Sequence, residues 1–546
     1  MKFSTEPNDL TCYPERKRAC TERSECGPRE RSSRWSRLTT LGRFESPASP
    51  ATRPALRLTV LRRFGMTSMM AGAIGLTSIT SARATGGVDT PPAPSAPHES
   101  KFAEPQEITL ANGLRVIVAE RHQLPLLAAS VVIRHGAEVD PNNRAGTASM
   151  AGDLLTKGTA TMSAPQIATT IESLGGSIDS GAGWDQSAAG LMVMSNKAEA
   201  ALQILADVIL HPAFKQEEID RLKNQRLDGL RVALQQPGSL ARFVTDRVVF
   251  GEADYGHPVG GTLESVQAVQ RDDIVQLYRT NYRPQDAVFI LAGDITLAQA
   301  KEYAEKLFEA WKGGESPNEK EEPPTAPTWK PETLVVDMPD AGQAAVLVAK
   351  PAIKRDSPDY YSAMVANAAL GNGFVSRLNR EIRIKRGLSY GAGSSIDARR
   401  DGGAFSASAQ TKNQSAAEVA GLMEAELKKL VADPVNGEEL KSRQAVLTGR
   451  YARNLETNQG FVAQIADLAT YKLPLDTLDK YIPSINAVTA DNVTAFAKTD
   501  LATASSTIVV GKAADFLEAL KKTWPETRVI EQKNLDLNRP DLVKDK

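Results

Sequence analysis

The chain reads as an α+β protein made of two copies of one domain. Residues 265–274 and 484–493 align without a gap, each leading through a polar helix start into a β-branched run. Those runs, 287–293 and 506–511, keep nearly the same offset. Residues 217–222 and 438–443 open two long helical segments at almost that spacing again. Three matches in order at one offset of about 220 residues mark a duplication. Each copy mixes element types. Residues 114–119 and 128–133 are short apolar runs of strand length, whereas 199–209 sets its apolar residues at helical spacing. The architecture expected is two homologous domains, each a mostly antiparallel sheet with helices on one face, facing each other across a groove.

Along the chain, the first domain is expected over 104–312 and the second over 331–525, with a C-terminal tail at 526–546. The linker between them, 313–330, holds too much Pro, Gly and charge to bury a core. Residues 85–103 are rich in Pro, Ala and Ser and are expected to be disordered. Residues 1–84 read as an upstream extension followed by a secretory signal. Arg62-Arg63 precedes a modest apolar run to Leu76, and Ala82-Arg83-Ala84 is a small-residue cleavage site. Arg62-Arg63-Phe64 leaves a twin-arginine route open beside the general one. Residues 1–56 are polar, rich in Arg and Ser and without periodicity, as a mis-assigned start or a basic tail would be. With cleavage after Ala84, the mature chain starts near Thr85 and is periplasmic or secreted.

Composition excludes several classes of function. A net charge of −1 over 546 residues makes no electrostatic case for nucleic acid or an anionic membrane. No apolar stretch of about 18 residues follows position 85, so no membrane span is expected. The three cysteines, Cys12, Cys20 and Cys26, leave the rest of the chain without disulfides, thiol nucleophiles or thiolate metal sites. His98, His122, His135, His211 and His257 form no His-x-x-x-His pair and read as surface or turn residues.

Residues 146–159 run Gly-Thr-Ala-Ser-Met-Ala-Gly-Asp-Leu-Leu-Thr-Lys-Gly-Thr. This stretch resembles the zinc-binding helix of the pitrilysin-like (M16) metallopeptidases, the family of the mitochondrial processing peptidases, which reads Gly-x-Ala-His-x-x-Glu-His-x-x-x-Lys-Gly-Thr. Ser149 and Asp153 stand at the histidine positions and Gly152 at that of the glutamate. A hydrolytic zinc needs three protein ligands and an open position for water, and a helix supplies two histidines at i and i+4 with a glutamate base between them. The family's third ligand, a glutamate roughly 75 residues on, falls in register at Gly229, beside Asp228. No metal is therefore expected in this chain. The rival is a displaced site built from Asp153, Asp228 and an unidentified ligand, where carboxylates favour magnesium or manganese.

In the second copy, residues 371–391 resemble the family motif in which an arginine and a tyrosine reach the substrate backbone beside the zinc. Arg383 and Tyr390 match that pair with its spacing intact. A guanidinium and a phenol can both donate hydrogen bonds to a scissile carbonyl and its developing oxyanion. Apart from the motif, Arg383 reads as a solvated arginine in a cluster with Arg380, Lys385 and Arg386, and Tyr390 as a packed strand residue. Gly371 and Gly373 either let backbone approach a bound peptide or end a helix. Residues 175–182 resemble the family strand to which peptide substrates add, which makes Ser177 and Ile178 peptide-contacting; a plain edge strand fits these residues equally.

The resemblance covers about residues 105–525. It implies a non-catalytic, substrate-binding or regulatory subunit that forms a heterodimer with a catalytic M16 chain. Arg383 and Tyr390 would act on peptide in trans, with no cofactor here and zinc in the partner. The alternative is a stand-alone peptide-binding or scaffold protein without hydrolytic activity.

Overall fold

The computed structural model describes residues 102–141, 143–313 and 329–545. The expected signal, the cysteines, nearly all of 85–103 and the centre of the linker lie outside the described residues. The first half forms a sheet from β1 (Gln106–Thr109), β2 (Arg115–Glu120), β3 (Leu126–Ile133), β4 (Ser177–Ala182), β5 (Ser187–Met194) and β6 (Ala287–Gly293), in the order β1-β2-β6-β3-β5-β4. The second half forms another from β7 (Thr333–Asp337), β8 (Ala344–Ala352), β9 (Ala392–Asp397), β10 (Gly403–Thr411), β11 (Ser506–Gly511) and β12 (Arg528–Glu531), in the order β12-β7-β11-β8-β10-β9.

Five strands correspond one to one. The parallel pair β2–β6 repeats as β7–β11, and antiparallel neighbours then lead outward to β4 in one sheet and β9 in the other. The sixth strand breaks the repeat, because β1 lies antiparallel to β2 whereas β12 lies parallel to β7. The segment expected as a tail is thus part of the fold: it supplies β12 and buries Leu535, Leu537 and Leu542.

Side chains alternate across a strand, so each sheet has two faces to cover. In the first sheet Val116, Val118, Leu127, Ala129, Val131, Ile133, Phe289 and Leu291 face the first half's own helices. Ile117, Ala119, Ala128, Val132, Val288, Ile290 and Ala292 face the other way, onto Phe461, Ile465 and Leu468 of the second half's helix Asn458–Thr470. The second sheet reciprocates. Leu334, Val336, Ala345, Leu347, Ile508 and Val510 pack against Leu240, Ala241 and Val244 of the first half's helix Pro237–Phe250. Each half carries its own helices on one face, as expected, and lends one helix to the opposite sheet. Double coverage explains why β6 and β11 are buried at every residue. Each large side chain buried in these exchanged faces contributes about 1.5–3 kcal/mol.

The lent helices follow long partners in each copy. Glu217 and Glu218 occupy the first turn of helix Gln216–Leu234, where the helix dipole favours acids. Asn436 caps helix Gly437–Glu456, its Oδ1 accepting from the backbone N–H groups of Glu438 at 3.1 Å and Glu439 at 2.9 Å. Among the described residues no helix is long and apolar enough to cross a membrane.

The hairpin tips of β4–β5 (183–186) and β9–β10 (398–402) meet and fasten the halves together. Asp185, 2% exposed, accepts from the Tyr255 hydroxyl at 2.6 Å, the Tyr471 hydroxyl at 3.0 Å and the Arg400 backbone N–H at 3.1 Å. The Arg400 guanidinium donates to Glu138 Oε1, 2.9 Å, and to the carbonyls of Arg134 and Asp185, both 2.8 Å. Arg399 lies over the rings of Trp184, Phe250 and Tyr255 at 4.4, 5.0 and 5.0 Å.

Asp246, on the lent helix, belongs to the same seam. Burial pushes its carboxyl up to about 7, with Arg399 and Arg247 pulling down and Asp397 pushing further up. The folded chain therefore holds this proton at pH values where the unfolded chain has released it. The group favours folding below the usual carboxylate range, and that contribution is lost as pH rises from about 4 to about 7. Asp246→Asn should raise Tm near pH 8 and leave it almost unchanged at about pH 4. Thermal melts at both pH values check this, and an unchanged or lower Tm at the alkaline end rejects it.

Candidate functional site

Helix Thr147–Leu154 carries the positions that would hold a metal, and it runs beside β4. Its N-terminus is anchored by Asp140, whose carboxylate accepts from the backbone N–H groups of Gly146 at 2.6 Å and Ala148 at 2.7 Å. Burial pushes the Asp140 carboxyl up to about 7 although both N–H groups hold it down. Ser149 and Asp153, one turn apart, point at a single side chain from helix Gln216–Leu234. That side chain is Arg226, whose Nη2 donates to Ser149 Oγ at 2.9 Å and to Asp153 Oδ2 at 2.6 Å. A guanidinium thus lies between the positions from which a dication would be held. Sequence reading missed Arg226. The available signal was a cation one turn before Gly229, on a helix already in register to supply a ligand.

The residues present do not fit a zinc ion. Serine is a poor ligand, glycine offers none, and the one carboxylate is bound to a cation that would repel a second. Gly152 adds a steric bar, since a Cβ there would lie 2.6 Å from Gly181 C and 2.8 Å from Ala182 N of β4. Gly229 is exposed, with nothing within 4 Å of where its Cβ would stand. The displaced metal site fares no better, because Asp228 is exposed and pairs with Arg231 of its own helix at 2.6 Å. Among the described residues no group of three or more His, Cys, Asp and Glu side chains gathers in a ligand arrangement. His122, His135 and His211 each sit beside a carboxylate, and His257 beside the Pro258 carbonyl.

β4 is the last strand of its sheet, paired on one side only. Ser177 is exposed, while Ile178 is half-buried and packs against the first core. The opposite half presents β9 as its own last strand. Gly371 ends helix Tyr360–Leu370, and a Cβ there would meet Ser394 N and Oγ of β9 at 2.2 Å. The close approach this glycine permits is therefore that of β9 itself, as Gly152 permits that of β4. Gly373 takes a positive φ of 144° in open space.

Arg383 lies in a π-helical segment, Asn379–Lys385, with its guanidinium over the Phe374 ring at 4.7 Å. Phe374, Val375 and Ile384 are exposed around it. Tyr390 is 92% exposed, so it is not the packed strand residue that its isolated sequence allows. It stands at a trough of about 510 Å³. The floor comes from Ser395, Ser406, Ser408 and Gly393, and one wall from Gly238 and Arg242 of the lent helix. Among the described residues neither Arg383 nor Tyr390 hydrogen-bonds to helix Thr147–Leu154. The structure therefore joins Ser149, Asp153 and Arg226 in one cluster and sets Tyr390 in another.

Comparison with known proteins adds a family to this geometry. Residues 115–247 match the model described as insulinase (peptidase family M16), and residues 268–447 that of the peptidase M16 inactive domain. The chain is 23% identical over 390 residues to an uncharacterized zinc protease, YmxG, of Bacillus subtilis, covering 71% of this chain and 94% of the relative. It is 26% identical over 286 residues to a protein of Helicobacter pylori named non-peptidase homolog YmxG, covering 52% of this chain and 65% of that one. Among solved structures, a peptidase M16 inactive domain from Pseudomonas fluorescens aligns with a TM-score of 0.69 and 26% identity over 74% of this chain and 98% of its own. A protease from Helicobacter pylori, 19% identical with a TM-score of 0.68, shares the fold over 75% of this chain and all of its own.

Proposed function

The chain belongs to the M16 peptidase family, and we propose that it serves as the non-catalytic, substrate-binding subunit of an exported two-chain peptidase whose partner carries the zinc. One observation carries the reading: the Arg226 guanidinium sits between Ser149 and Asp153, while Tyr390 stands free in a trough. The match to an inactive-type domain and the relative named non-peptidase homolog support it. In this reading the groove holds an extended peptide, and Arg383 and Tyr390 donate hydrogen bonds to its backbone while the partner cuts it. Export to the periplasm, with the mature chain starting near Thr85, belongs to the same proposal. N-terminal sequencing of the protein recovered from a periplasmic extract tests it.

The test mixes the purified chain with a zinc-bearing M16 chain from the same source. A stable complex should form, and the peptidase rate should exceed that of the partner alone. Tyr390→Phe should lower the joint rate by about 100-fold, the usual consequence of removing one oxyanion donor. The ring is exposed, so this variant should fold normally. No complex, or a rate indifferent to both the chain and the variant, rejects the reading. The unpaired edges of β4 and β9 also favour a stand-alone peptide-binding protein. That alternative predicts chelator-insensitive peptide binding by the isolated chain and no gain in rate with any partner.

A further inference from the structure

From the lining of the trough beside β9, we propose that it is a subsite for an acidic side chain, with Arg242 as the residue that selects it. The inference rests on the reading that the groove takes peptide. The trough exists because the lent helix Pro237–Phe250 covers β7, β8 and β11 but stops short of β9 and most of β10. On that uncovered face Ser406 pairs with Ser395, and Ser408 with Gly393. These side chains are so small that the floor sinks below the surrounding surface. Gly238 and Arg242, one turn apart on the lent helix, rise beside it, and Tyr390, Gln343 and Gln410 complete the rim.

Every polar side chain here can donate, although only the guanidinium cannot also accept. Arg242 supplies a guanidinium, Tyr390 and the serines supply hydroxyls, and Gln343 and Gln410 supply amide N–H groups. Among the described residues no carboxylate lines the trough. The Arg242 guanidinium is exposed and donates only within its own helix, to Ser239 Oγ at 3.2 Å. It forms no ion pair among the described residues. A cation without a carboxylate partner, above a floor of hydroxyls, complements a Glu or Asp side chain. The contrast with the first half is direct. There the guanidinium of Arg226 is already taken by Asp153 of its own chain, and no charge remains for a ligand.

Binding of short fluorescent peptides to the isolated chain tests this without any partner. Peptides built from Ser, Thr and Val, amidated at the C-terminus, carry either one Glu or one Gln at the centre. The Glu peptide should bind about fivefold more tightly at low ionic strength, the scale of a partly exposed ion pair. That preference should fade at about 0.5 M salt. Arg242→Gln should abolish the preference, so that the Glu and Gln peptides bind equally, and Arg242→Glu should shift it to a Lys peptide. A further arm uses the Gln peptide with a free C-terminal carboxylate. If the free terminus gains as much as the Glu side chain, the site reads chain ends and the proposal fails. Equal binding of Glu and Gln peptides, or a preference that survives Arg242→Gln, also overturns it while leaving peptide binding in place. Absence of all peptide binding overturns both this inference and the reading beneath it.

Discussion

Glutamate introduced at residue 152 should cost the fold about 2–4 kcal/mol and still provide no working base. The reason is local. The nearest atoms to a Cβ at Gly152 are backbone atoms of Gly181 and Ala182, at 2.6–2.9 Å, and backbone inside a paired strand cannot swing aside as a side-chain tip can. Gly152→Ala should therefore lose most of the same stability, which separates the steric cost from any effect of charge. Urea unfolding of the wild type and both variants measures it, and a loss below about 1 kcal/mol would show that β4 yields easily. The argument extends to the whole ligand set. Ser149→His, Gly152→Glu, Asp153→His and Gly229→Glu made together should bind no stoichiometric zinc while Arg226 remains. Its guanidinium sits 2.9 Å from the Ser149 hydroxyl and would meet the incoming cation with like charge. Stoichiometric zinc by elemental analysis, with wild-type stability, would sink the claim that this site is closed.

Much of this fold can be read from the chain, and the unread parts share a physical cause. The duplicated runs at 287–293 and 506–511 became β6 and β11, in matching places in their sheets, because local pattern and strand order repeat together. The missing ligands at Ser149, Gly152 and Asp153 are visible as residue types. Arg226 is different: it touches Ser149 and Asp153 across more than seventy positions, and its one mark in the chain is a place one turn before Gly229. The exchanged helices were hidden likewise. The unbroken apolar run Ala287–Gly293 is what a strand covered on both faces needs, but no rule of spacing says which half supplies the second cover. Residues 526–546 read as a C-terminal tail, yet Ile530, Leu535, Leu537 and Leu542 are buried with the second sheet. In the chain Tyr390 is only a position in a motif, and the fold alone shows it exposed at the trough.

Asp185→Ala should destabilise the protein by on the order of 3–5 kcal/mol, a large share of what a single domain commonly has. Asp185 is the point where three elements meet: the hydroxyl of Tyr255, the hydroxyl of Tyr471 and the backbone N–H of Arg400 all donate to it. Burial and the Asp185 carboxylate both keep the two phenols protonated, and so able to donate. Alanine would strand all three donors in a place that water reaches poorly, and each buried donor left unpaired costs about 1–3 kcal/mol. Asp185→Asn keeps one acceptor oxygen and the shape, so it should cost about half as much. The loss should also have a direction. The hairpin tips hold one half to the other, so limited proteolysis should open the seam around residues 398–402 before either sheet is cut. Equilibrium unfolding gives the size of the effect and the first cleavage site its location. A loss under about 1 kcal/mol, or first cleavage within a sheet, would mean that the exchanged helices alone hold the halves together.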